Sequence, residues 1–343
     1  SEYLNYDPKN PQWVGRDRFF LDPGHMAPML YSQLCLIGKF SLEELQQLRQ
    51  WGSPTTGHPE FDIARGIENT SGPLGQGHVF AVGAAIAAKF LAAHTGNPTF
   101  AKETIYAYIS DGGVQEEISQ GGARIAATLG LDNLIMFYDS NDIQLSTETK
   151  EVMTEDTGAK YRALGWEVIE ICGNDAAQIR EAIEKAQKVE GKPTLIIGKC
   201  IMGKGALKAD GSSYEANCKT HGAPLGGDAY INTIKNLGGD PENPFQIFDD
   251  VKELYANRAK ELESICAERY AEEKAWADAN PEKAAAQAEW FSGKAPKIDW
   301  SKCVQKDNDA TRSASAACLS VLAEQVPNMI CASADLSNSD KTD

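Results

Sequence analysis

Residues 109–121 read ISDGGVQEEISQG. A β-branched run closes on Ser110-Asp111, two glycines follow, and Glu116-Glu117 opens a helix-like stretch. In open parallel sheets ligands bind outside the carboxyl ends of the strands, and Asp111 is expected at such an end. Gly112 and Gly113 let the backbone approach a ligand with no Cβ in the way. The helix start that follows offers free N–H groups and partial positive charge, which suit a phosphate. A second apolar run, LIMFY, ends in Asp139-Ser140-Asn141-Asp142-Ile143. If the two strands are neighbours, carboxylate, amide and main-chain oxygens meet at one edge, a donor set for magnesium or calcium. The plainer alternative is a pair of strand-ending turns whose Asp and Asn cap helices.

The elements that must position these residues alternate. Thr104–Ile109, Leu134–Tyr138, Trp166–Ile171 and Thr194–Ile197 read as buried strands, separated by helix-like Glu117–Leu129, Thr154–Leu164 and Ala176–Val189. That alternation predicts right-handed βαβ crossovers, hence an α/β fold with a parallel sheet and helices on both faces. Val79–Ala93 is apolar almost all round and predicts a buried helix. From about residue 245 to 290 the chain turns rich in Ala, Glu and Lys and reads as surface helices. These readings divide the chain into a first domain over 1–290, with its helical excursion from about 245, a linker over 291–309, and the start of a second α/β domain over 310–343. In that last part, 310–326 predicts a helix and MICASAD, 329–335, a strand ending in a carboxylate.

The totals bound the function. The formal charge is −16, from 33 basic and 49 acidic residues, which argues against a nucleic-acid binder but leaves room for a small anionic substrate. No uninterrupted apolar run reaches the roughly 18–20 residues of a membrane span, and the first residues show no signal-peptide pattern. The eight cysteines contain no CxxC pair, which argues against zinc and for scattered core thiols in a reduced, cytoplasmic setting.

Asp111 and Asn141 stand thirty residues apart, with one helix and one strand between them. The spacing resembles the thiamine diphosphate signature, a GDG followed about thirty residues later by Asn, although Ser110 replaces its first glycine. Further segments resemble transketolase, in the family's order: RDRFFLDPGH (16–25), PTTGHPEF (54–61), TSGPLGQG (70–77), KTHGAPL (219–225), ATR (310–312) and SADLSNS (333–339). The match runs from about residue 7 to the end and is loose between 245 and 309.

The resemblance implies transfer of a two-carbon ketol unit between sugar phosphates, with thiamine diphosphate and magnesium or calcium as cofactors, in a homodimer. It implies metal ligation by Asp111 and Asn141 through side chains and by Ile143 through its carbonyl. Gly112 would lie against the diphosphate, and Gly72, Pro73 and Leu74 against the aminopyrimidine. Glu116 matches an interface glutamate that relays charge to the partner subunit. His25, His58 and His221 match channel histidines: His25 and His221 toward the diphosphate, His221 also toward the substrate, and His58 toward donor hydroxyls. His78 and His94 read as structural or surface residues. Arg312 and Ser339 match residues that hold the sugar's phosphate. The family also has an earlier histidine-bearing segment, a later activating glutamate and a third domain, so the expectation is a piece of a longer enzyme, inactive alone. Dihydroxyacetone synthase, other thiamine diphosphate enzymes such as deoxyxylulose phosphate synthases and 2-oxo-acid dehydrogenases, a non-catalytic module, and a magnesium-dependent hydrolase are the alternatives.

Overall fold

Five short runs form one sheet with every pairing parallel: β1 (Arg18–Leu21), β2 (Ile105–Ser110), β3 (Leu134–Ser140), β4 (Glu167–Cys172) and β5 (Thr194–Lys199), in the order β1-β2-β3-β5-β4. The computed structural model describes residues 2–342, in two compact units, Ser1–Glu273 and Lys274–Asp343. The first unit carries the sheet and helices α1 (Ala27–Leu36), α2 (Leu42–Gln46), α3 (Gly77–Thr95), α4 (Pro98–Ala101), α5 (Asp111–Gln115), α6 (Glu117–Thr128), α7 (Thr157–Leu164), α8 (Ala176–Ala186) and α9 (Gly227–Asn236). The chain passes between the units inside α10 (Asp249–Ala279). The expected parallel α/β architecture is what the first unit builds, with the expected strands placed to within one or two residues. The expectation did not include β1.

The strands alternate between two apolar layers, because successive side chains point to opposite faces. Ile105, Ala107, Ile109, Leu134, Met136 and Tyr138 pack with Ala81 and Ala85 of α3, Ala123 and Ala126 of α6, and Tyr161 of α7. Tyr106, Ile135 and Ile196 pack the other way, against Ala182 and Ala186 of α8. Burial on both faces is why these strands read as continuous apolar runs. A cavity of about 590 Å³ remains on the α1–α8 side, floored by Tyr106, Tyr108 and Phe137.

The amino end of the sheet is closed by ions. Arg16 grips both carboxylate oxygens of Glu68 at 2.8 and 3.0 Å, and Arg18 bridges Glu68 at 3.2 Å and Glu103 at 2.5 Å. Asp17, between the two arginines, accepts the backbone N–H groups of Asn5 and Thr104 at 2.8 and 3.0 Å. The RDR run thus ties β1 to β2 and to the loop before α3.

Three expectations need correction. Helix α7 begins at Thr157 rather than 154, because Asp156 caps it by accepting the Ala159 N–H at 2.9 Å. Helix α3 buries one face only: Ala81, Val82, Ala85 and Ala88 face the core, while Phe80 is 46% exposed. By length and composition α3 alone among the described helices could cross a membrane, yet its inner face packs on β1, β2 and α6. Residues 329–335 form no strand, and no strand lies among the described residues of the second unit. A lone extended segment has no ladder partner for its N–H and C=O groups. The second unit instead holds α11 (Pro281–Trp290), α12 (Thr311–Gln325) and α13 (Ser337–Asp340), with Lys341 Nζ donating to Ser313 Oγ at 2.7 Å.

Helix α10 is the expected surface helix, and over its first-unit length it also acts as a clamp. Leu262 and Cys266 are buried, Arg258 donates to the Leu4 carbonyl at 2.9 Å, Arg269 to that of Gly15 at 3.0 Å, and Tyr270 to Asp7 at 2.8 Å.

Candidate active site

The parallel register brings Ser110 beside Asp139, so the ends of β2 and β3 are neighbours and the DGG and DSNDI segments share one edge. A cavity of about 720 Å³ opens there, lined by Asp111, Gly112, Asn141, Ile143, His25 and His221 among others. Asp111 is 2% exposed. Its Oδ1 accepts the Tyr138 hydroxyl at 2.5 Å, and its Oδ2 accepts the N–H groups of Asn141 and Asp142 at 3.0 and 3.1 Å. Burial nevertheless holds this carboxyl above its ordinary range, opposed by those same hydrogen bonds. No lysine or arginine forms an ion pair with it among the described residues. A cation at the cavity edge would reverse the burial cost.

Asn141 folds its side chain into the turn: its Oδ1 accepts the Ile143 N–H at 3.1 Å and its Nδ2 donates to Asp139 at 3.2 Å. Asp142 takes a left-handed φ of 66°, which swings the chain back along the cavity wall. The strand-ending turns are therefore present, although Ser110 rather than Asp111 caps the helix that follows and Asn141 caps none, and Asp111, Asn141 and Ile143 all line the one cavity. No group of three or more His, Cys, Asp or Glu side chains gathers as a metal site among the described residues. The set that is present, one carboxylate with amide and main-chain oxygens, fits a hard ion that takes its remaining ligands from a diphosphate.

The departure at Ser110 has a local reason. Its hydroxyl caps α5 by accepting the Gly113 N–H at 3.4 Å. The helix start facing the cavity is therefore the single turn Asp111–Gln115, and α6 begins only after the chain turns at Glu116. A Cβ at Gly112 would lie 3.0 Å from Leu74 Cδ2, and one at Gly75, whose φ is 87°, would lie 2.6 Å from the Glu116 side chain. The GPLG turn thus packs directly on the DGG turn. Gly72 and Pro73 are exposed, and Gly72 faces open space. Glu116 is exposed at the cavity rim, with no hydrogen bond or ion pair to its carboxylate among the described contacts.

The histidines converge from three segments. His25 and His221 stand with ring centroids 5.0 Å apart. A Cβ on Gly24 would come within 2.1 Å of the Ser71 carbonyl and 2.7 Å of the His58 ring, so the absence of a side chain there lets the 54–61 loop close on the 24–25 turn. Burial, then the charges of His221, His58 and Arg49, hold His25 below the usual imidazole range against the pull of Asp22; burial alone does so for His221. Arg312 and Ser339 are exposed in the second unit, at the start of α12 and within α13.

Sequence reasoning missed Tyr138 and Asp22, and read His78 only as a structural or surface residue. Tyr138 was read only as a strand residue, yet it pairs in register with Ile109 and so reaches Asp111. Asp22 and His78 form a buried pair, 0% and 2% exposed, with Nδ1 3.1 Å from Oδ1. Asp22 also accepts the Gly77 N–H at 2.9 Å, and its other oxygen approaches Gly113. The pair joins the DPGH, GQGH and DGG segments beneath the cavity. The signal was two polar residues flanked by apolar and glycine positions in separate motifs.

A parallel sheet with a buried carboxylate, a glycine turn and hard oxygen donors at its carboxyl edge defines a diphosphate-binding α/β domain. Residues 1–296 match the family described as the thiamine diphosphate binding domain of transketolase, and the chain belongs to the transketolase family. It is 39% identical over its whole length to transketolase-1, chloroplastic, of Arabidopsis thaliana and 38% identical to a transketolase of Staphylococcus epidermidis, covering 47% and 52% of them. The chain thus spans about half the length of these curated relatives. Its structure superposes on a transketolase from Leishmania mexicana with a TM-score of 0.90 at 34% identity, over 99% of this chain and 51% of that one. A Pichia stipitis transketolase mutant in complex with fructose 6-phosphate gives the same score, identity and coverage.

Proposed function

We propose that this chain supplies the diphosphate and metal half of an enzyme that transfers a two-carbon ketol unit from a ketose phosphate to an aldose phosphate, in the pentose phosphate pathway. In this reading residues 1–290 form the diphosphate-binding domain, 291–309 a linker and 310–343 the start of the pyrimidine-binding domain. Asp111, Asn141 and the Ile143 carbonyl hold magnesium, Gly112 receives the diphosphate, and Gly72, Pro73 and Leu74 receive the aminopyrimidine. Thiamine diphosphate, when bound, supplies the electron sink for carbon–carbon cleavage. His25 and His221, kept neutral by burial, give or accept hydrogen bonds at phosphate and hydroxyl oxygens. His58 holds the donor's hydroxyls, and Arg312 and Ser339 hold the sugar's phosphate from a partner subunit.

A homodimer is the proposed assembly. Exposed Ile118 and Ile125 of α6, and Leu129 just past its end, lie beside Glu116, which is unpaired among the described residues, and Phe80 of α3 is exposed as well. A surface of this kind favours a protein partner. Eight free cysteines support a reducing, cytoplasmic setting.

The observation that carries the reading is the buried Asp111 carboxylate, without a cationic partner among the described residues, lining a cavity shared with His25 and His221. Calorimetric titration of thiamine diphosphate tests it. Binding should need magnesium, vanish with a chelator and weaken by on the order of 100-fold in Asp111→Asn; metal-independent binding sinks the assignment. The chain alone should show no ketol transfer, and measurable turnover by it would overturn the view that the site is completed from outside.

A further inference from the structure

The second unit contains a feature that the ketol-transfer reading does not use. Cys303 and Cys318 are fifteen residues apart in sequence, yet their sulfurs lie 3.6 Å apart, both part-buried. Cys303 follows a short 3-10 turn, Trp300–Lys302, and Cys318 sits in the middle of α12. The segment that carries Cys303 runs antiparallel along that helix. The Asp299 N–H donates to Gln325 Oε1 at 2.8 Å, Lys302 lies 3.8 Å from Glu324, and Gln305 Nε2 reaches the Ala314 carbonyl at 3.1 Å. These contacts lie on both sides of the sulfur pair, so the chain has already met the entropy of bringing the two thiols together. Gln305 Nε2 also points at both sulfurs, 3.2 Å from Cys303 and 3.5 Å from Cys318. The closer of the two sulfurs is Cys303. The hydrogen bond to Cys303 raises the Cys318 thiol, which keeps its proton longer.

We propose that Cys303 and Cys318 form a dithiol modification site that a hydroperoxide converts to an intrachain disulfide, stapling the segment before α12 to that helix. The Cys303 thiolate attacks the distal peroxide oxygen; the S–O bond forms, the O–O bond breaks, and the alcohol or water leaves. Cys318, giving up its proton, then attacks the sulfenic sulfur; the S–S bond forms, the S–O bond breaks and water leaves. In total two thiols and one hydroperoxide give one disulfide, one alcohol or water, and one water. A small dithiol reverses the step by exchange. Among the described residues no other pair of cysteine sulfurs lies within hydrogen-bonding distance.

The test treats the purified protein with one equivalent of hydrogen peroxide, blocks remaining thiols with iodoacetamide and maps peptides by mass spectrometry. Free thiol at Cys303 and Cys318 should fall together, roughly tenfold below that at exposed Cys172 and Cys331, with one cross-linked peptide lighter by two hydrogens and restored by dithiothreitol. Cys318→Ser should abolish the cross-link and leave a sulfenic acid at Cys303 that dimedone captures. Cys318→Ala should do the same, and its circular dichroism, matching the parent, separates lost chemistry from lost folding. Equal alkylation of all eight cysteines, a bridge between chains, or a bridge at Cys172 and Cys200 instead would each overturn the proposal.

Discussion

The two ends of one sheet treat buried charge in opposite ways. At the amino end, Glu68 and Glu103 are each met by arginine, and Asp17 accepts backbone N–H groups from two directions. At the carboxyl end, Asp22, Asp111 and Asp139 are met by hydroxyl, amide and imidazole groups, and no lysine or arginine forms an ion pair with any of them among the described residues. Buried charge normally needs a partner charge. The amino end finds its partner within the chain, in ion pairs that close on themselves, although Arg16, Asp17 and Glu68 also line the cavity of about 590 Å³. The carboxyl end is left short of positive charge and opens into a cavity, which is the electrostatic shape of a site awaiting a cation.

Removing a partner at the closed end should have the largest effect. Glu68→Ala leaves Arg16 without its carboxylate and strips one from Arg18, and should cost about 3–5 kcal/mol in chemical denaturation. A loss below about 1 kcal/mol would mean that the network is solvated and the contrast between the ends is false. At the open end the effect should fall on binding. Asp111→Asn preserves the shape and should change stability by no more than about 1 kcal/mol, while weakening magnesium-dependent thiamine diphosphate binding by on the order of 100-fold. A large stability loss with binding intact would reverse the assignment of the two ends.

Gly24→Ala tests how the open end is assembled. Its Cβ has no room against the Ser71 carbonyl, so the turn and the 54–61 loop must part, at about 1–3 kcal/mol by thermal unfolding. The smallest effect is in pH. His25 and His221 should titrate below 6.5 by proton NMR. The unfolded chain then takes up protons before the folded one. Their share of stability is whole above 6.5 and is lost as pH falls from 6.5 through the folded values. A midpoint above 6.5 for either would place a negative charge nearer to it than the structure does.

Much of the site was legible because its chemistry is local. Asp111 with its glycines, and the run from Asp139 to Ile143, announce themselves as strand ends, since strand and turn preferences act over a few residues. Strand β1 was not legible: RFFL is four residues long, and pairing with β2 rather than propensity makes it a strand. The strand expected at 329–335 failed for the converse reason, having no neighbour to pair and only Ile330 as a strong strand former.

What the sequence determined by itself is the alternation of strands and helices, the parallel fold class, the oxygen donors at Asp111 and Asn141, and the family motifs that bracket them. Only the tertiary structure decided which groups meet. It set Tyr138 against Asp111, drew His25 and His221 to 5.0 Å, placed the Asp22–His78 pair beneath three loops, and brought the sulfurs of Cys303 and Cys318 to 3.6 Å. Those meetings depend on strand order, register and packing between residues far apart in the chain, which no local preference encodes.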